Sequence, residues 1–160
     1  MQDVKYAIMP TVPVDNRQWP GGSITHAPIW CAVDLRDGNQ ALPNPMTPEQ
    51  KHQYFKLLVD IGFKEIEIGF PSASADDFNF VRDLIDNDMI PDDVTISVLT
   101  QCRDHLIART FESIAGVKNC IFHIYIATSE LHRRFVFGLE DAEVLTTAVT
   151  SIRQIRDGAR

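Results

Sequence analysis

From residue 29 onward, two patterns alternate along the chain. Short apolar runs suit buried strands, and the stretches between them repeat apolar residues every three or four positions, as helices do. Residues 29–35 (IWCAVDL) predict a first strand. Residues 47–61 predict a helix, with Thr47 as N-cap, Pro48 at the first helical position and Gln50 completing a capping box. Tyr54, Leu57, Leu58 and Ile61 form its apolar face, and Gly62 supplies the stop. The pattern then repeats. Residues 65–70 (EIEIGF) predict a second strand, and 75–87 a helix with Phe78, Val81, Leu84 and Ile85 inward. Residues 94–100 and 120–127 predict the third and fourth strands. Residues 104–115 predict a helix with Ile107, Phe111 and Ile114 inward. Residues 140–156 predict a last helix facing the core with Leu145, Ala148, Val149, Ile152 and Ile155.

Strand then helix, four times, with connections too long for hairpins, predicts parallel β/α units. Both a small doubly wound sheet and the first four β/α units of a (β/α)8 TIM barrel fit this periodicity. The loop after the first strand, Arg36-Asp37-Gly38-Asn39-Gln40, has no Gly-rich phosphate-binding signature, which lowers the nucleotide-binding reading. Residues 1–28 are interrupted by Pro10, Pro13, Pro20, Pro28 and Gly21-Gly22 and predict an extended arm. No composition shift divides residues 29–160, which form one α/β unit.

Composition changes this picture little. A net charge of -7 without a Lys/Arg run argues against a nucleic-acid partner. Cys31, Cys102 and Cys120 are widely spaced, which fits reduced thiols rather than a disulfide framework or thiolate zinc site. No signal peptide or membrane span is apparent, so a soluble, cytoplasmic protein is expected.

In parallel α/β folds, ligands bind at the carboxyl ends of strands. The first strand ends in Asp34-Leu35-Arg36-Asp37-Gly38. A carboxylate there could ligate a hard divalent cation and the arginine could bind an oxyanion, or the pair could be a surface ion pair in a turn. Glu65 and Glu67 share one face of the second strand. Either they find partners inside the sheet, Arg36 being natural for Glu67, or the strand lies at an edge with both in water. His123, with Tyr125 and Ala127 on its face, could contact substrate or be a satisfied core histidine. Ser72 and Ser74 suit helix capping, and residues 131–134 (LHRR) suit a solvated loop.

Four segments then converge on one family. Residues 30–42 (WCAVDLRDGNQAL), 64–74 (KEIEIGFPSAS), 98–103 (VLTQCR) and 123–129 (HIYIATS) resemble the 2-isopropylmalate synthases, and the arm around Trp19-Pro20 and residues 27–30 resembles their longer form. The match runs from about residue 8 to the end. The resemblance implies a (β/α)8 barrel with a metal-dependent acyltransferase activity. It condenses acetyl-CoA with 2-oxoisovalerate to 2-isopropylmalate and CoA, in leucine and hence branched-chain amino-acid biosynthesis. It further implies that Asp37 ligates a divalent cation of the Mg, Mn or Zn class and that Arg36 stabilises the developing alkoxide. Glu67 would hold Arg36, His123 would contact the 2-oxo acid, and Gln40 would lie near it. A homodimer is implied for the full-length enzyme.

The family's later His-x-His metal pair does not occur in this sequence. The expectation is therefore that these 160 residues are inactive alone, either truncated or completed by another chain. Homocitrate and citramalate synthases and lyase relatives share the Asp-Arg-Glu trio, although the arm and residues 69–74 favour isopropylmalate synthase. A non-catalytic half-barrel that self-associates is the reading from another class.

Overall fold

The computed structural model describes residues 26–159, so the arm at 1–28 lies outside the described residues except for its last three. The chain runs through β1 (Cys31–Ala32), a π-helical turn (Asp34–Gly38), α1 (Pro48–Ile61), β2 (Glu65–Gly69) and α2 (Ala75–Asp86). It continues through β3 (Thr95–Gln101), α3 (Asp104–Ser113), β4 (Cys120–Tyr125), a second π-helical turn (His132–Phe137) and α4 (Asp141–Gly158).

All strand pairs are parallel and the sheet order is β1-β2-β3-β4. A doubly wound sheet reverses its strand order at a switch point. Here each strand lies beside its chain neighbour, and successive helices pack α1 on α2, α2 on α3 and α3 on α4. Right-handed crossovers in one direction place all helices on one face. The architecture is the first four β/α units of a (β/α)8 barrel.

The two faces of the sheet differ chemically. Ile66, Ile68, Ile96 and Val98 are wholly buried with Phe55, Leu58, Phe80 and Leu84 of the helices in the core cluster. Each such side chain is worth about 1.5–3 kcal/mol of transfer free energy. The alternate strand positions carry Glu67, Ser97, Leu99, His123 and Tyr125, neighbours in register on the other face. That face would be a barrel's interior.

Local signals in the sequence act as expected at α1. Thr47 and Gln50 exchange the reciprocal bonds of a capping box, and Gly62 ends the helix at φ 108°, a left-handed conformation that a side chain would strain. Two helix faces require correction. The buried stripe of α1 is Lys51, Phe55 and Leu58, whereas Leu57 and Ile61 are exposed. In α4 the buried residues are Val144 and Ser151, and Leu145 and Ile152 are 66% and 53% exposed. Both helices are apolar on more than one side. α4 packs on α3 and approaches it closely at its last residue, Gly158, beside Phe111.

Gly158 shows how close. A Cβ built on it would lie 2.7 Å from Phe111 Cζ, and the Phe111 ring is itself packed on Phe122 at 4.9 Å between centroids. Helix propensity alone favours Gly→Ala by about 1 kcal/mol, whereas overpacking costs about 1–3 kcal/mol. Gly158→Ala is expected to lower the urea midpoint. A raised midpoint would mean that Phe111 yields.

Cys120 opens β4 and packs against the core. Burial pushes its thiol from the ordinary 9.0 to about 12. The unfolded chain releases this proton first, so folding stability falls as pH rises from 9 towards 12. The thiolate is the nucleophile, and its fraction at pH 8 is on the order of 10³ lower than for an ordinary thiol. Iodoacetamide at pH 8 is expected to modify exposed Cys31 and spare Cys120, as peptide mass mapping would show. Equal labelling of the two would contradict that burial.

Candidate functional site

The site begins where β1 ends early. The apolar run 29–35 reads as strand, but only two residues pair with β2. The carbonyl of Val33 then accepts from the amides of Arg36, Asp37 and Gly38 at 3.3, 2.9 and 3.2 Å. Such π-helical turns are rare and concentrate at functional sites. The turn buries Leu35 under the sheet and swings Arg36 over the polar face. Arg36 therefore reaches Glu67 from a turn, not from an adjacent strand.

Glu67 lies in β2 between two neighbouring strands and is 3% exposed, so the alternative of an edge strand with both glutamates in water is excluded. Each of its oxygens has a partner. Oε1 accepts from Arg36 Nε, and Oε2 pairs with His123 Nδ1 at 2.7 Å. A carboxylate that already accepts from a guanidinium must accept from the histidine too, so Nδ1 carries the proton and Nε2 is the nitrogen left over. Arg36 Nη1 donates to Asp37 Oδ1 at 2.7 Å. Among the described residues, Arg36 Nη2 makes no hydrogen bond and remains for a ligand.

Arg36, Gln40 and His123 line one open cleft of about 790 Å³, with Leu99 and Tyr125 on its strand side. Gln101 Nε2 donates to the Tyr125 hydroxyl at 2.5 Å. Asp37 is not among the cleft-lining residues, and its side chain is 63% exposed. Asp34, the other carboxylate of this segment, faces Tyr54. Burial pushes the Tyr54 phenol up, and the Asp34 charge adds to it. Of the two serines, only Ser74 caps α2, accepting from the Asp77 amide at 3.1 Å. Ser72 instead bonds Thr100 and Thr110, both at 3.2 Å.

Two cleft residues, Lys51 and Asp77, were invisible to the strand-end reading, and Asn39 lay in the loop after the first strand with no role assigned. Lys51 is 4% exposed, pairs with Asp77 Oδ1 at 2.7 Å and stands over the Phe80 ring. Asn39 accepts from the Met46 amide at 2.7 Å and fixes the loop that leads into α1. The available signal was Lys51 itself, a charge at helical spacing with Phe55 and Leu58. A second groove, of about 620 Å³ beside Trp30 and Phe63, opens at the amino ends of the strands, away from this chemistry.

Among the described residues, no group of three His, Cys, Asp or Glu side chains could hold a metal ion. Asp37 offers one hard oxygen donor of the class that divalent cations prefer, and one carboxylate does not make a site. No described helix is long and apolar enough to cross a membrane.

Comparison with known proteins gives the family. The model of the HMGL-like family matches residues 27–160. The 2-isopropylmalate synthase of Clostridium acetobutylicum is 56% identical over 152 residues, 95% of this chain and 27% of that protein. Those of Rhodospirillum rubrum and Agrobacterium fabrum are 54% and 53% identical over 97% and 98% of this chain, each across 28% of their own length. The chain thus spans about a quarter of the length of the curated relatives it matches. The family match covers the turn, the strands and the cleft described above, and the chain belongs to the HMGL-like family.

Proposed function

We propose that these residues form the first part of the catalytic barrel of a 2-isopropylmalate synthase, which joins acetyl-CoA to 2-oxoisovalerate. In that reaction the acetyl methyl group loses a proton to a base, its carbon bonds to the keto carbon of the 2-oxo acid, and the keto oxygen takes the carbonyl electron pair and then a proton, becoming a hydroxyl. The thioester is then hydrolysed by water, giving 2-isopropylmalate and CoA. The observation that carries the reading is identity of more than half to synthases of that name across nearly the whole chain. The Arg36–Glu67–His123 triad beside an open cleft supports it.

Arg36 presents its Nη2 donors to the oxygen on which negative charge grows as the new bond forms. Glu67 neutralises and aims the guanidinium, and fixes the His123 ring through Nδ1. His123 Nε2 is then available to a polar group of the 2-oxo acid, and Gln40 lies in the same cleft. A divalent cation, when bound, would polarise the keto group as a Lewis acid. Asp37 is the donor this chain would contribute, and the rest of the set would come from outside the described residues. Cytoplasmic location and a homodimer belong to the same proposal.

The test is an assay of the product of the complete reading frame that encodes this chain. CoA thiol release is followed with acetyl-CoA and 2-oxoisovalerate, pyruvate or 2-oxoglutarate. Preference for 2-oxoisovalerate is expected. Turnover of pyruvate or 2-oxoglutarate alone would move the assignment to a citramalate or homocitrate synthase. Failure with all three would sink the synthase reading.

A further inference from the structure

The ladder between β2 and β3 is irregular where the site needs it most regular. Glu67 pairs with Ser97, but Gly69 pairs with Val98, so Ile68 is an extra residue in β2. Bulges of this kind re-aim side chains next to active sites, and they leave the strand beyond them less firmly fixed by its ladder. Something else must hold the carboxyl end of β2.

That hold comes from α1 and α2. Asp77 Oδ2 accepts from the Phe70 amide, the first beyond β2, at 2.8 Å. Its other oxygen takes Lys51 Nζ at 2.7 Å. Gly69 makes the approach possible, since a Cβ there would lie 3.1 Å from both Asp77 Cγ and Oδ2. Asp77 is itself fixed by its own amide on Ser74 Oγ. Lys51 is almost wholly buried, and taking an ammonium out of water is costly unless a well-placed partner offsets it, which Asp77 does here.

We propose that Lys51 and Asp77 are positioning residues for the reaction assigned above. They clamp the end of β2 beyond the bulge and thereby set Glu67, and through it Arg36 and His123, without contacting the reacting groups. The clamp ties the helix that follows the Arg36 turn to the strand that carries Glu67. It fixes the two halves of the ion pair relative to each other. The inference rests on the synthase reading for its kinetic part only.

The test uses Lys51→Met, Asp77→Asn and Asp77→Ala in the product of the complete reading frame. In Lys51→Met and Asp77→Ala, kcat is expected to fall about 10–100-fold, the range for partners that orient a functional side chain. KM for either substrate should change less than about threefold, because no binding contact is removed. Asp77→Asn retains an oxygen for the Phe70 amide and should lose less than Asp77→Ala. An unfolded fraction would also lower apparent kcat at unchanged KM, so kcat is taken per folded molecule, with the folded fraction measured by circular dichroism.

Amide hydrogen exchange supplies an arm independent of activity. Phe70 should exchange at least about tenfold faster in Asp77→Ala, having lost its acceptor. Folded variants with unchanged kcat would overturn the proposal. So would a raised KM with unchanged kcat, which would make Lys51 a substrate contact. If Lys51→Met does not fold, the ranking of the two Asp77 variants decides. If the unsubstituted protein turns over no 2-oxo acid, the synthase reading fails, and the Phe70 exchange rate still decides whether the clamp exists.

Discussion

Glu67→Ala is expected to lower the unfolding free energy by about 3 kcal/mol, the lower end of the 3–5 kcal/mol typical for breaking a buried ion pair. The lower end applies because Arg36, the partner left behind, keeps 17% side-chain exposure and can recover some hydration. The cost is not the worth of the pair itself. It is the penalty of leaving a guanidinium and the His123 N–H without the acceptors they face at Oε1 and Oε2. Glu67→Gln keeps one oxygen and should cost less. Glu65→Ala is the control, because Glu65 shares the strand face but is only half-buried and has no ion pair among the described residues. It should stay within about 0.5 kcal/mol. Urea unfolding of the three variants measures this. Equal small losses for Glu65 and Glu67 would mean that the triad contributes nothing to the fold.

The contrast between these two glutamates marks how far the sequence could be read. Alternation in EIEIG places both on one face, and periodicity says nothing more. What separates them is depth along a central strand and the reach of Arg36. Both are tertiary facts. The order of β/α units was legible because each strand and helix carries its own local signal, and the capping box at Thr47 is the clearest. The choice between a doubly wound sheet and a barrel was not local, and strand order settled it.

The π-helical turn was hidden for a different reason. The apolar character of 29–35 continues through Leu35, which is buried equally well by a turn as by a strand. Hydrophobicity reports burial and leaves the backbone path undetermined. In the same way, α1 and α4 carry enough apolar residues for two faces, and the neighbour each helix meets decides which face is covered. Leu57, Ile61, Leu145 and Ile152 stay exposed among the described residues. Arg36, Glu67, His123 and Gln40 were named from strand ends and family resemblance; Arg36, His123 and Gln40 line the cleft, and Glu67 is buried against the first two. Lys51 and Asp77 sit on helices, where a strand-end search does not look.

Arg36→Lys is expected to lower kcat by about 10²–10³ in the complete protein, if the synthase reading holds, while the fold survives. The charge is kept, so Glu67 retains a cationic partner and the unfolding free energy should change far less than in Glu67→Ala. The geometry is what is lost. Arg36 reaches Glu67 through Nε and Asp37 through Nη1, leaving Nη2 for the cleft. A planar fork can serve three directions at once, whereas an ammonium on a flexible stem is a point charge that settles on the strongest acceptor. Glu67, nearly buried, is that acceptor, so the cleft loses its donor. Steady-state kinetics with 2-oxoisovalerate and acetyl-CoA separate the outcomes. A fall in kcat with KM for acetyl-CoA unchanged is the expected pattern, since the donor matters where charge develops on the other substrate. A raised KM for the 2-oxo acid with kcat unchanged would assign Arg36 to ground-state binding. Full activity in Arg36→Lys would show that charge alone suffices at this position.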